Sequence, residues 1–286
     1  MYIPNECSPI GIGNQKSCLS NELLKKIALQ INSLKICDEI NCNNGNLYDQ
    51  ISNRIQQISD CQKESCWTSI SKITNDLQVN DRELFINSFK PFIPMGWFKN
   101  PNMWLNTSDI NNVLRRYEKK YNHFKYFGAL PIDFEKKRKK KCISGELCKL
   151  NLKKLMNNYK SFGVVFNTDP HNKGGEHWFS MYIDLVGINR DKPTIYYFDS
   201  ALNPMQKEIK KFVKKIKKQY RKKKNNEIDF LFNDERHQYG NTECGIYSIH
   251  FLIEMLKGKC FDEYIKKKLN DKNIEKFRKI FFINPN

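Results

Sequence analysis

Three short runs rich in β-branched and aromatic residues constrain this chain most: GVVFN at 163–167, HWFSMYID at 177–184 and TIYYF at 194–198. Turn-forming residues separate them, which reads as strands. QKEIKKFVKKIKKQYRKKK follows, with Ile209, Phe212, Val213, Ile216 and Tyr220 at helical spacing and lysines on the other face. IDFLF at 228–232 reads as another strand, and CGIYSIHFLIEMLKG as a long apolar helix ended by Gly258. A sheet flanked by helices, of the α+β class, accounts for this order of elements.

The first part of the chain differs. Residues 1–95 read as a helical N-terminal arm. Asn21 is a candidate cap for a helix with Leu23, Leu24, Ile27, Ala28 and Ile31 on one face, and Leu47, Ile51, Ile55 and Ile58 mark a second helix. KPFIPMGWFKNPN at 90–102 packs three prolines and a glycine together, the punctuation of a linker, so residues 96–286 are taken as the main domain. Thr107 or Ser108 then caps a helix, and KKRKKK at 136–141 reads as a solvated loop.

With 286 residues, 40% of them hydrophobic, the chain can bury a substantial core. No apolar stretch approaches the ~20 residues that span a bilayer, and MYIPNECSPIG lacks the pattern of a secretion signal. A soluble intracellular protein is expected, and with it reduced thiols for the ten cysteines. Cys37 with Cys42, and Cys61 with Cys66, are spaced too widely for the usual zinc pair, and no metal or cofactor is expected. The net charge of +18 favours polyanions such as nucleic acid, bound without sequence preference.

The candidate chemistry lies at element ends. Cys244 sits where a polar, glycine-containing loop meets the long apolar helix, where the helix dipole favours a thiolate. Gly245 leaves room for a substrate carbonyl beside it. His177 opens one strand and Asp199 closes the next. In an antiparallel pair both reach one sheet end, where imidazole takes the thiol proton and carboxylate orients the ring. Gln238, six residues before Cys244, is placed to donate to an oxyanion together with the Cys244 N–H. Each of these residues alone is more often structural; the constellation points to nucleophilic catalysis.

HW, a strand, FDS, then Q with Cys six residues later in ECG resembles the Ulp1-like and adenovirus-protease-like cysteine peptidases. NPNMWLNTSDI at 100–110 resembles the Trp-Leu motif that opens the Ulp1 catalytic domain. FGVVFNTD, GEHWFSMYIDLVG, YFDSALN and RHQYGNTECGIYS are similar to the polyprotein-processing branch found in nucleocytoplasmic large DNA viruses. The resemblance implies a Ulp1/adenain-like fold with a central mixed sheet, and a triad of His177, Asp199 and Cys244 with Gln238 in the oxyanion hole. It implies cleavage after Gly-Gly or Gly-Xaa, with Trp178 and Trp104 as an aromatic clamp over the substrate backbone. It also implies maturation of virion polyproteins in the host cytoplasm and the virion. A protease of SUMO- or ubiquitin-like conjugates, and a nucleic-acid-binding virion protein with an inactive protease fold, are the alternatives.

Overall fold

The computed structural model describes residues 5–11, 16–36, 38–43, 45–143 and 145–284. Two compact units divide the chain: Met1–Ile93 with Phe281–Asn286, and Pro94–Ile280.

The first unit is helical. It contains α1 (Asn21–Ser33), α2 (Leu47–Ile58), α3 (Ser71–Thr74) and α4 (Val79–Asn87). Its core joins Leu24, Ile27 and Ile31 of α1 to Ile51 and Ile55 of α2 and to Trp67. The first apolar stripe read from the sequence is thus buried, and so is the second except for Ile58, which is half-buried. The cap differs: Ser20 accepts from the Leu23 N–H, and Asn21 is the first helical residue. The hydroxyl one position earlier has the extended backbone an N-cap requires.

The second unit begins with α5 (Thr107–Lys120), β1 (Phe124–Pro131), a small hairpin of β2 (Lys137–Arg138) and β3 (Lys141–Cys142), and α6 (Leu152–Leu155). Asn106 caps α5, with Asp109 completing a capping box, so the cap precedes both hydroxyl residues anticipated for it. Then come β4 (Ser161–Asn167), β5 (Trp178–Asp184), β6 (Thr194–Phe198), α7 (Lys207–Lys224), β7 (Asp229–Phe232) and α8 (Cys244–Leu256). Helices α9 (Phe261–Lys266), α10 (Asp271–Glu275) and α11 (Phe277–Phe281) end the chain's regular structure.

Strands β1, β4, β5, β6 and β7 form one sheet in that order. The outer pairs, β1–β4 and β6–β7, are parallel, and the inner pairs are antiparallel. Every residue of β4, β5 and β6 is buried, which explains why these runs read as continuous apolar segments. One face packs on α7 through Phe166, Met181, Ile195, Phe212 and Ile216. On the other, Phe198 stacks on Phe251 of α8 with ring centroids 5.0 Å apart. Helix α8 is buried on nearly all sides. This is the mixed sheet flanked by helices anticipated from the sequence. Among the described residues, no helix is long and apolar enough to cross a membrane.

The thiol state differs from expectation. Cys7–Cys18, Cys61–Cys66 and Cys142–Cys148 are disulfides, with Cα–Cα distances of 5.2, 5.6 and 6.0 Å. Each pair is close in sequence, and its partners stand within bridging range. Cys42, Cys244 and Cys260 are free. Cys61 and Cys66 therefore bond each other instead of presenting thiolates to a metal, and Cys37 lies outside the described residues.

Candidate active site

The antiparallel β5–β6 pairing sets Ser180 opposite Phe198, so the residue before β5 and the residue after β6 share one end of the sheet. These are His177 and Asp199. The His177 Nε2 lies 2.7 Å from Asp199 Oδ1. Cys244, first residue of α8, acts on the same imidazole and, with Asp199, favours its charged form. All three side chains are largely buried. The structure thus brings together the three residues singled out from the sequence.

Each is held by its neighbours. The His177 carbonyl accepts from the Thr168 N–H at 2.9 Å, closing the loop between β4 and β5. In that loop Gly175 has a φ of +88°, and a Cβ there would meet the Asn167 amide nitrogen at 2.8 Å. A glycine is therefore required two residues before the base. Asn233 brackets Asp199: its Oδ1 accepts from the Asp199 N–H at 3.0 Å, and its Nδ2 donates to the Asp199 carbonyl at 2.8 Å. Asp199 Oδ1 also accepts from the Ala201 N–H at 2.9 Å, which fixes the oxygen that meets His177.

Burial works against a charged His177, but the hydrogen bonds and charges of Asp199 and Cys244 outweigh it and push its pKa up to about 9. The ring is thus held as imidazolium at neutral pH. The Cys244 backbone stands at the amino end of a thirteen-residue helix whose N-cap, Glu243, makes no side-chain cap. The Glu243 carboxylate turns back onto Thr242 instead. The first N–H groups of α8 are thereby left without a side-chain acceptor at the N-cap.

Gln238 is buried in the loop leading to Cys244. Its Oε1 accepts from the Ser200 hydroxyl at 2.7 Å, and its Nε2 donates to the Gly240 carbonyl at 3.0 Å. Asp271 accepts the N–H groups of Tyr239 and Gly240 at 2.9 and 2.8 Å and so pins the same loop.

Trp178 is buried, and its indole N–H donates to the Leu105 carbonyl at 2.9 Å. Trp104 is 41% exposed. Both border one groove of about 570 Å³, whose walls include Leu130, Ile143, Asn167 and His171. Gly245 has a different role from the one anticipated. A Cβ there would stand 3.0 Å from Leu105 Cβ, so the space beside it is filled by Leu105 and not kept for substrate.

Sequence reasoning missed Asn233 and Arg278. The buried Arg278 guanidinium donates to the carbonyls of Met103 and Thr242, both at 3.0 Å, and lies 4.6 Å over the Trp97 ring. It ties the segment before Trp104 to the segment before Cys244. Neither residue carries a local signal, because each acts on partners distant in sequence.

The model of the Ulp1 protease family, C-terminal catalytic domain, matches residues 117–284. A thiol protease of Acanthamoeba polyphaga mimivirus is 34% identical over 185 residues, which cover 63% of this chain and 57% of that protein. A cysteine protease of African swine fever virus is 25% identical over 287 residues, covering 98% of this chain and 95% of the viral protein. The crystal structure of an African swine fever virus protease matches the fold with a TM-score of 0.67 at 24% identity, over 99% of this chain and 97% of that one. With the family model spanning more than half of its length, the chain belongs to the Ulp1 protease family of cysteine peptidases.

Proposed function

We propose that the chain is a viral cysteine endopeptidase that cuts structural polyproteins after Gly-Gly or Gly-Xaa, in the host cytoplasm and the virion. The observation that carries the peptidase reading is the His177–Asp199 pair at 2.7 Å, with Cys244 acting on the same ring. The Cys244 thiolate attacks the scissile carbonyl. The oxyanion that forms is held by the Cys244 N–H and by the N–H of Gln238 not given to Gly240. His177 protonates the leaving amine, and a thioester remains on Cys244. His177 then takes a proton from water, which hydrolyses the thioester.

The preference for glycine is supported by Trp178 and Trp104, two aromatic residues that border one groove. The polyprotein reading is supported by the likeness to the swine fever virus cysteine protease, which runs through the N-terminal unit as well as the second. A second reading, a protease of ubiquitin-like conjugates, is favoured by the name "SUMO-1 cysteine protease" given to the protein of another isolate, 25% identical to this chain. Binding of nucleic acid is a separate property, supported by the exposed lysines of α7.

Incubating the protein with a polyprotein carrying Gly-Gly-Xaa sites, beside a SUMO conjugate, separates the readings. Cleavage of the polyprotein, abolished by Cys244→Ala, is expected. Cleavage of the conjugate alone would transfer the assignment to the second reading. Cleavage of neither would favour an inactive fold.

A further inference from the structure

We infer that Ser200 is a positioning residue for the oxyanion hole, aiming the Gln238 amide through its hydroxyl; the inference rests on the reading of Gln238 as an oxyanion donor.

The orientation of the Gln238 amide follows from its neighbours. The Gly240 carbonyl, 3.0 Å away, can only accept, so the amide atom facing it must be the nitrogen. The oxygen then faces Ser200 Oγ at 2.7 Å, and the hydroxyl must donate to it. Ser200 is 1% exposed and Gln238 2% exposed, so water does not readily replace that donor. One N–H of the amide is committed to Gly240. The other makes no hydrogen bond among the described residues, and its direction is set by the two bonds that hold the amide plane.

The Ser200 main chain adds to this. Its carbonyl accepts the N–H groups of His237 and Gln238 at 2.9 and 2.8 Å, which fixes where the Gln238 backbone begins. Ser200 therefore holds Gln238 at both ends of its side chain. Asp199, the residue before it, holds His177. Two consecutive residues at the end of β6 thus orient the two arms of the site, one through a carboxylate and one through a hydroxyl.

Removing the hydroxyl leaves Oε1 buried without a donor. The opposite amide orientation would set oxygen against the Gly240 carbonyl, so the side chain loses its fixed direction. An oxyanion donor acts mainly in the transition state, so the loss falls on kcat.

The test measures kcat and KM on an internally quenched Gly-Gly-Xaa peptide for wild type, Ser200→Ala, Gln238→Ala and the double variant. Ser200→Cys, close to serine in size but a weak donor, guards against a folding defect in the alanine variant. Gln238→Ala is expected to lower kcat by roughly 10²–10³. Ser200→Ala should lower it about tenfold, with KM nearly unchanged. Ser200→Cys should fall between Ser200→Ala and wild type. The double variant should be no slower than Gln238→Ala alone, because Ser200 has nothing left to aim. A Gln238→Ala variant as fast as wild type would overturn the oxyanion reading and this inference with it. A slow Gln238→Ala beside an unimpaired Ser200→Ala, or losses that multiply in the double variant, would overturn this inference alone.

Discussion

The His177 Nε2 meets Asp199 Oδ1 at 2.7 Å, and Cys244 at the start of α8 acts on the same ring. The protonated ring donates to the carboxylate through Nε2. Burial disfavours the imidazolium, the two partners favour it, and the outcome lies above the ordinary 6.5, at about 9. The charged ring therefore stabilises the fold fully below about 6.5, and that contribution is lost as pH rises through about 9.

The same sign governs activity. The kcat of the wild type should hold through neutral pH and fall as the imidazolium is lost near pH 9. Asp199→Asn keeps an acceptor for the ring but removes its negative partner, so its alkaline limb should move to lower pH while clear activity remains. Asp199→Ala removes the acceptor too and should be slower still. A pH–rate profile of the three proteins reads this order, and an alanine variant matching wild type would exclude Asp199 as the partner that matters.

The disulfides make a separate expectation. Alkylation without reductant, followed by peptide mapping, should label Cys42, Cys244 and Cys260 and spare the six bridged cysteines. The Cys142–Cys148 bridge closes a loop that carries Ile143 and Gly145, two residues of the groove wall. Replacing both cysteines by serine should cost about 2 kcal/mol of stability by the loop-entropy argument. It should also raise KM more than it lowers kcat, since the triad is not touched. Labelling of Cys142 in the unreduced protein would contradict the bridge.

Gly245→Ala sets two known effects against each other. Alanine is favoured over glycine inside a helix by about 1 kcal/mol. The added Cβ, however, would lie 3.0 Å from Leu105 Cβ and 3.2 Å from Leu105 Cδ1. Overfilling a packed site costs roughly 1–3 kcal/mol, so the clash should win. A lowered melting temperature and a reduced kcat are expected, because Gly245 adjoins Cys244 and Leu105 also receives the Trp178 indole. A more stable variant would show that Leu105 gives way freely.

What could be read from the sequence was local or periodic. The strands flanked by His177 and Asp199 stood out because β-rich runs alternate with turn residues, and the antiparallel pairing then put both at one sheet end. Cys244 stood out because a polar loop changes abruptly into an apolar helix. The residues that hold these groups were not legible. Asn233 reaches Asp199 across 34 positions, and Arg278 reaches Met103 across 175. Such contacts depend on which segments the fold brings together, and neither spacing nor propensity encodes them. The helix caps failed for a simpler reason: Ser20 lies beside the anticipated Asn21, and Asn106 beside Thr107, and cap choice depends on backbone angles at a single position.

The basic face of α7 gives the last prediction. Burial of Ile209, Phe212, Val213, Ile216 and Tyr220 turns Lys210, Lys214 and Lys218 outward on one face, four residues apart. Solvation alone would explain a lysine-rich surface. A helix face with few acids nevertheless presents a row of cations to a phosphate backbone, and binding would then release counterions. Affinity for a single-sequence duplex DNA and for an unrelated one should be equal, and both should fall linearly with salt on logarithmic axes. The triple variant Lys210→Glu, Lys214→Glu, Lys218→Glu should fold normally, since all three side chains are exposed. It should bind more weakly and flatten the salt slope by about one for each phosphate no longer neutralised. Its kcat on a peptide substrate should be unchanged, because none of the three touches the site. A flat salt response in the wild type, or no binding at low salt, would reduce this face to a solubilising surface.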